Sequence, residues 1–221
     1  MGGVALRAAP EYPKHMAPAA VDQLNSPFRR AMLYVVQQLG EVGVVKLEKI
    51  LYLADLEYFH RTGRRITGAR WVRHNFGPIA KAVVPSTNLM KGREIVVSQE
   101  IVAGHPSSVY RVGPAPRFQP EFAPDQKATL DRIIQMLANV TAVEAAHLTY
   151  ETVPMQERLK AEAEAGHEIL DVPLVFDDRR ERVARLAHRS PRATVEARAE
   201  FKRSELARVS DLQALAISRS A

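Results

Sequence analysis

Residues 45 to 62, VKLEKILYLADLEYFHRT, constrain this chain more than any other stretch. At helical spacing Leu47, Ile50, Leu51, Ala54 and Tyr58 form one face, and Leu53, Leu56 and Phe59 widen it until most of the cylinder is apolar. A helix that is apolar nearly all round is stable in water only when other elements surround it. The fold is therefore expected to be built around this helix, with Gly63 ending it. One residue is out of place: Asp55 lies between Ala54 and Leu56, and an unpartnered buried carboxylate costs several kcal/mol. Its partner is either internal, an ion pair or cap with Arg29, Arg30 or Arg70, or a group on another protein.

The flanking segments supply the elements that could enclose such a helix. Ser26-Pro27 offers an N-cap and a first-turn proline for a helix over about 28 to 40, with Met32, Val35, Val36 and Leu39 inward. Ile66 to His74 reads as a strand, and Gly77-Pro78 as a turn and the start of a helix to about Met90. Glu94 to Val102 and Ser107 to Val112 read as a hairpin. After a proline-rich spacer, helices are expected at about 125 to 137, 142 to 150 and 154 to 165. The fold class is α+β, mainly α-helical, a compact helical domain with a small antiparallel sheet. Helix, helix, strand, helix, strand, strand is also the element order of a winged helix, which commonly binds DNA.

Charge divides the chain. Residues 1 to 178 hold 20 Lys/Arg against 20 Asp/Glu, and residues 179 to 221 hold 11 against 5, so the net +6 lies in the last 43 residues. Any basic element that meets a partner is expected there, and the globular part shows no electrostatic footprint for nucleic acid. The domains are expected at 1–25, an Ala/Pro-rich arm, 26–176, the globular part, and 177–221, a basic helical extension. In that extension Phe201, Leu206, Val209 and Leu212 recur at intervals of three to five and make an apolar stripe that has to be buried against something. A second candidate contact surface is Arg61, Arg64, Arg65, Arg70 and Arg73 around Trp71. Arginine with tryptophan is the composition of an interface hot spot, phosphate contacts are compatible with it, and Trp71 turned into the core is the plain alternative.

Catalytic chemistry is not legible. The absence of cysteine excludes disulfides and thiol catalysis and fits a reducing compartment. Seven histidines are scattered without zinc-site spacing, no phosphate loop or nucleophile elbow occurs, and neither cofactor nor metal is expected. The N-terminus lacks a signal-peptide pattern, and nothing approaches the roughly 20 apolar residues that span a bilayer. The expectation is a cytoplasmic binding protein with no membrane partner.

Several signals in order then point to a family. Lys46-Leu47-x-Lys49-Ile50-Leu51-Tyr52-x-Ala54-Asp55, Thr62-Gly63, Phe76-Gly77-Pro78, Ala146-His147-Leu148-Thr149-Tyr150-Glu151 through Pro154-Met155, and the apolar Ile169 to Pro173 resemble the Panacea domain of the SocA-like antitoxins, bacterial and phage-borne. The resemblance covers about residues 28 to 175, and it makes Lys46, Leu51, Tyr52, Asp55, Gly77 and Pro78 motif positions. The chain departs from the family pattern at Phe76, Tyr150 and Met155, where Tyr, His and Trp are expected. What the resemblance implies is an antitoxin that neutralises, by direct binding, a toxin encoded beside it. Arg70, Trp71 and Arg73, with the tail residues Phe201, Leu206, Val209 and Leu212, are the expected contacts. A homo-oligomer is compatible with this. Alternatives are a winged-helix DNA-binding regulator, with nucleic acid a less favoured partner, and an adaptor that delivers a toxin to a AAA+ protease.

Overall fold

A computed structural model describes residues 26–176 apart from 103 and 104, so the arm and the tail, including Phe201, Leu206, Val209 and Leu212, lie outside the described residues. The elements in order are α1 (Pro27–Leu39), β1 (Glu41–Gly43), α2 (Val44–Thr62), β2 (Trp71–His74), β3 (Gly77–Ala80), α3 (Val83–Met90), β4 (Ile95–Val102), β5 (His105–Val112), α4 (Pro124–Leu137), α5 (Ala142–Tyr150) and α6 (Val153–Ala165). The result is a mixed α+β, mainly helical domain with small antiparallel sheets.

The apolar helix is the axis of the molecule. All twelve residues of α2 from Leu47 to Tyr58 are buried, and α1, α4, α5, β1, β3 and β5 surround it. Gly63, in the left-handed region at φ 71°, ends α2 by donating its N–H to the Phe59 carbonyl, a conformation that glycine adopts without a Cβ penalty. In α1, Pro27 occupies the first helical position as expected, while the Ser26 side chain makes no capping bond. Thr141 and Glu144 close a reciprocal capping box on α5.

Two sheets form. In the first, β1 pairs with β5 and β5 with β4, all antiparallel. Pairing the strand after α1 with the last strand is the sheet order of a winged helix. The three-residue β1 is too short to show alternation, and sequence reading passed over it. The second sheet is the hairpin β2–β3, inserted between α2 and α3. The closing segment runs antiparallel beside β2, with Asp171 N–H on the Arg73 carbonyl, Arg73 N–H on Val172 and Leu174 N–H on Trp71.

The region from 66 to 90 differs from expectation. Only Trp71–His74 of the expected strand Ile66 to His74 is a strand, because the residues before it fold around Asp55. Pro78 does not start a helix: Gly77–Ala80 is a strand, and the helix is confined to Val83–Met90. Its first-turn proline is Pro85. Pro78 is tolerated in β3 for a specific reason. His74 and Gly77 flank a two-residue loop as a hydrogen-bonded pair, so the next pair, Arg73 with Pro78, requires no N–H from Pro78 towards β2.

Leu51 is fully buried on the core side of α2. Leu51→Ala should therefore cost about 2–5 kcal/mol through lost contacts and a cavity, read as a lower denaturant midpoint or melting temperature.

Candidate functional site

Polar groups buried in an apolar helix have to be answered from neighbouring elements, and α2 carries three that are answered by the hairpin and the turn before it. Asp55 is 0% exposed. Its Oδ1 accepts the Thr67 backbone N–H at 2.8 Å, and its Oδ2 accepts the Thr67 hydroxyl and the Trp71 indole N–H, the latter at 2.9 Å. Burial pushes the carboxyl above its ordinary value, against the pull of these donors and of nearby Arg65. The partner of Asp55 is thus internal, but it is a threonine and a tryptophan rather than Arg29, Arg30 or Arg70. Thr67 Oγ1 also accepts the Ala69 N–H at 2.9 Å, so the carboxylate organises the whole turn that leads into β2.

Nearly two turns earlier, Lys49 and Glu48 grip the other strand. Lys49 is fully buried, and its Nζ donates to the Pro78 carbonyl at 2.7 Å. Burial lowers its ammonium to about 8, with the adjacent Glu48 acting the other way. Burial likewise raises Glu48 to about 7, opposed by Lys49 and by a backbone hydrogen bond from Ala80. Pro78 and Ala80 sit at the non-hydrogen-bonded positions of the hairpin, so their outward backbone groups would otherwise be orphaned in the interior. An acidic and a basic side chain on one turn of α2 answer both.

The hairpin is held from the other side by α5 and α6. Arg73 Nε and Nη2 contact the two Glu162 carboxylate oxygens at 3.1 Å each, a two-pronged ion pair with both side chains buried. The Arg73 guanidinium lies 5.7 Å from the centre of the Tyr150 ring, and the Tyr150 hydroxyl donates to the Asn75 carbonyl at 2.8 Å. Gly77 has φ +87°, and a Cβ there would stand 2.9 Å from Thr149 Oγ1 and 3.4 Å from Lys49 Cε. Behind it, Thr149 Oγ1 donates to the Ala146 carbonyl, Thr152 Oγ1 to the Thr149 carbonyl, and the Tyr52 and Thr152 hydroxyls lie 2.8 Å apart. The Tyr52 ring meets Trp71 and Phe176 edge-on.

Motif positions far apart in sequence therefore meet here: Tyr52 and Asp55 from α2, Gly77 and Pro78 from the hairpin, and Thr149 and Tyr150 from α5. Met155 is buried nearby in α6. Leu51 packs in the core. Lys46 is apart from this centre, donating to the Ala138 carbonyl at 2.8 Å.

The arginine-tryptophan patch is dispersed by the fold. Trp71 and Arg73 are buried and committed to Asp55 and Glu162, which removes them from the surface on which a partner could meet them; Arg70 stays exposed. Arg61 donates to Thr129 and Arg65 to the Ala69 carbonyl. Sequence reading overlooked Glu48 and Thr67, gave Lys49 no role beyond its place in the motif, and took Glu162, with Glu164, for solvated charge or helix capping, whereas it is buried against Arg73. A charged pair in the middle of an apolar helix was a visible signal for the first; Glu162 had none, since an exposed acidic helix looks the same.

Chemically, this arrangement is a brace. Each charged group faces a fixed internal partner, and among the described residues no cluster of His, Asp and Glu could hold a metal ion, nor is any helix long and apolar enough to cross a membrane. What the brace presents to solvent is the hairpin tip, where Phe76 is 53% exposed.

Comparison with known proteins adds one match. Residues 47–154, from α2 to the start of α6, fit the family model described as antitoxin SocA-like, Panacea domain. No curated protein and no solved structure matches the chain.

Gly63 and Gly77 provide a matched pair for testing the brace, since both have positive φ but only Gly77 lacks room for a Cβ. Gly77→Ala should lower stability by about 2–4 kcal/mol, against about 1–2 kcal/mol for Gly63→Ala, in parallel melts. Glu48 gives a pH signature. Its folded value is raised, so its contribution to stability is complete below its ordinary 4.5 and is lost as pH rises through about 7. The stability of wild type relative to Glu48→Gln should therefore fall between pH 4.5 and 7; a difference independent of pH over that range would contradict a buried, proton-holding Glu48.

Proposed function

We propose, from the match of residues 47–154 to the SocA-like Panacea antitoxin family model, that the chain is the antitoxin of a toxin–antitoxin pair, neutralising by direct binding a toxin encoded by a neighbouring gene in a bacterium or phage. The observation that carries this reading is the family match over the elements that build the brace. The geometry supports binding over catalysis. The charges of the centre are committed to internal partners, and they hold a surface feature still. Neutralisation is then stoichiometric, by occlusion or distortion of the toxin in the cytoplasm. Arg70 and the tail residues Phe201, Leu206, Val209 and Leu212 remain candidate contacts, the tail because its basic, apolar-striped sequence needs a surface to lie on.

A winged-helix regulator is the second reading, favoured by the β1–β5–β4 sheet order. Against it, α3 exposes Val84, Pro85, Asn88 and Leu89 where a recognition helix needs polar readers, and nearby Lys81 is already engaged with Asp171 at 3.1 Å.

Co-expression with the product of the adjacent reading frame should restore growth, and the two chains should co-purify in fixed ratio. Rescue at strongly substoichiometric levels without a complex would point instead to a proteolytic adaptor. Tight, salt-resistant binding to its own promoter would favour the regulator.

A further inference from the structure

The brace has a consequence at its outer end. Asn75 and Phe76 form the two-residue loop of the β2–β3 hairpin, and such a loop is normally a mobile place for an aromatic side chain. Here the backbone on each side is tied down: the Asn75 carbonyl accepts the Tyr150 hydroxyl, the Pro78 carbonyl accepts Lys49 Nζ, and Gly77 is seated against Thr149. Phe76 is nonetheless 53% exposed. A large apolar side chain held out on a rigid support loses little entropy on being covered, which is how interface anchors are built. A second apolar side chain is exposed on α5. Val143 is 45% exposed and lies seven residues before Tyr150, on the same helix face about 10 Å away.

We infer that the hairpin tip is an interaction surface with Phe76 as its anchor, and that it fits a protein presenting an apolar pocket with a basic rim. On the reading above, that protein is the toxin. Charge selects among occupants. Residues 142–171, which comprise α5, α6 and the segment to Asp171 beside β2, hold seven Asp/Glu against two Lys/Arg, and with Glu162 answered by Arg73 and Asp171 by Lys81 they still leave five against two. A second copy would bring this acidic ground against itself, and a nucleic acid would meet like charge. The chain's own residues 179–221 share the basic and apolar character and are the competing occupant.

The test uses the full chain and the co-expressed product of the adjacent reading frame. Phe76→Ala should weaken the complex by about 30-fold or more, Phe76→Asp should abolish growth rescue, and Phe76→Tyr should bind as wild type does. Ile101→Asp, at a 72% exposed apolar site on β4, should also bind as wild type does. Without the partner, Phe76→Asp should melt with wild type and keep its mass by light scattering. Rescue that survives Phe76→Asp overturns the inference and leaves the antitoxin reading standing. A lower melting temperature for Phe76→Asp alone assigns the tip to the chain's own tail, and a dimer that Phe76→Asp dissociates assigns it to a second copy; either result overturns the inference. A wild-type chain that neither binds nor rescues removes both.

Discussion

A carboxylate without water organises this domain. Asp55 sits at the centre of the most buried helix, where leaving it unanswered would cost several kcal/mol, a large share of the net stability of a domain this size. The donors that answer it, Thr67 and Trp71, both come from the stretch after α2. Satisfying Asp55 therefore fixes where the chain turns and where β2 begins. Trp71, so placed, packs edge-on to Tyr52, and Tyr52 reaches through its hydroxyl to Thr152 at the start of α6. One buried charge in this way links α2, the hairpin and the C-terminal helices.

The same logic repeats at the second strand. A two-stranded hairpin driven into a helical core leaves backbone N–H and C=O groups with no ladder partner, and each is as costly to orphan as a side chain. Lys49 and Glu48 answer those of Pro78 and Ala80, and Arg73 with Glu162 binds the hairpin to α6. Buried ion pairs seldom add net stability over apolar packing, but removing one partner is strongly destabilising. Their effect is to make the placement of the hairpin nearly all-or-none. Small shifts at its tip are resisted from three helices at once.

The centre looks chemically rich, yet its polar groups are held on internal partners. Perturbed carboxyl and amino groups often mark active sites, yet structural networks perturb them equally. Here the groups face inward onto backbone and onto one another, and what reaches solvent is the aromatic tip of the hairpin. A surface held in place before contact loses less entropy on association.

Much of the architecture was legible in sequence. The all-round apolarity of 45 to 62 identified the central helix. Periodicity placed α1, α4, α5, α6 and the β4–β5 hairpin, and the isolation of Asp55 announced a buried partner. These are properties of short windows, where side-chain spacing and local backbone preference decide the outcome. The identity of that partner, the strand at Gly77–Ala80 in place of a helix, and the burial of Arg73 were not legible, because they are settled by groups 12 to 89 residues away, while Trp71 in the core was one of the readings the sequence allowed. Proline opens helices and also occupies non-hydrogen-bonded strand positions; only Lys49 reaching the Pro78 carbonyl, and Thr149 leaving no room at Gly77, choose between the two. An arginine reads as surface until a glutamate from another helix is brought to 3.1 Å from it. Sequence determined which side chains had to leave water, and tertiary structure decided which partners made leaving it affordable.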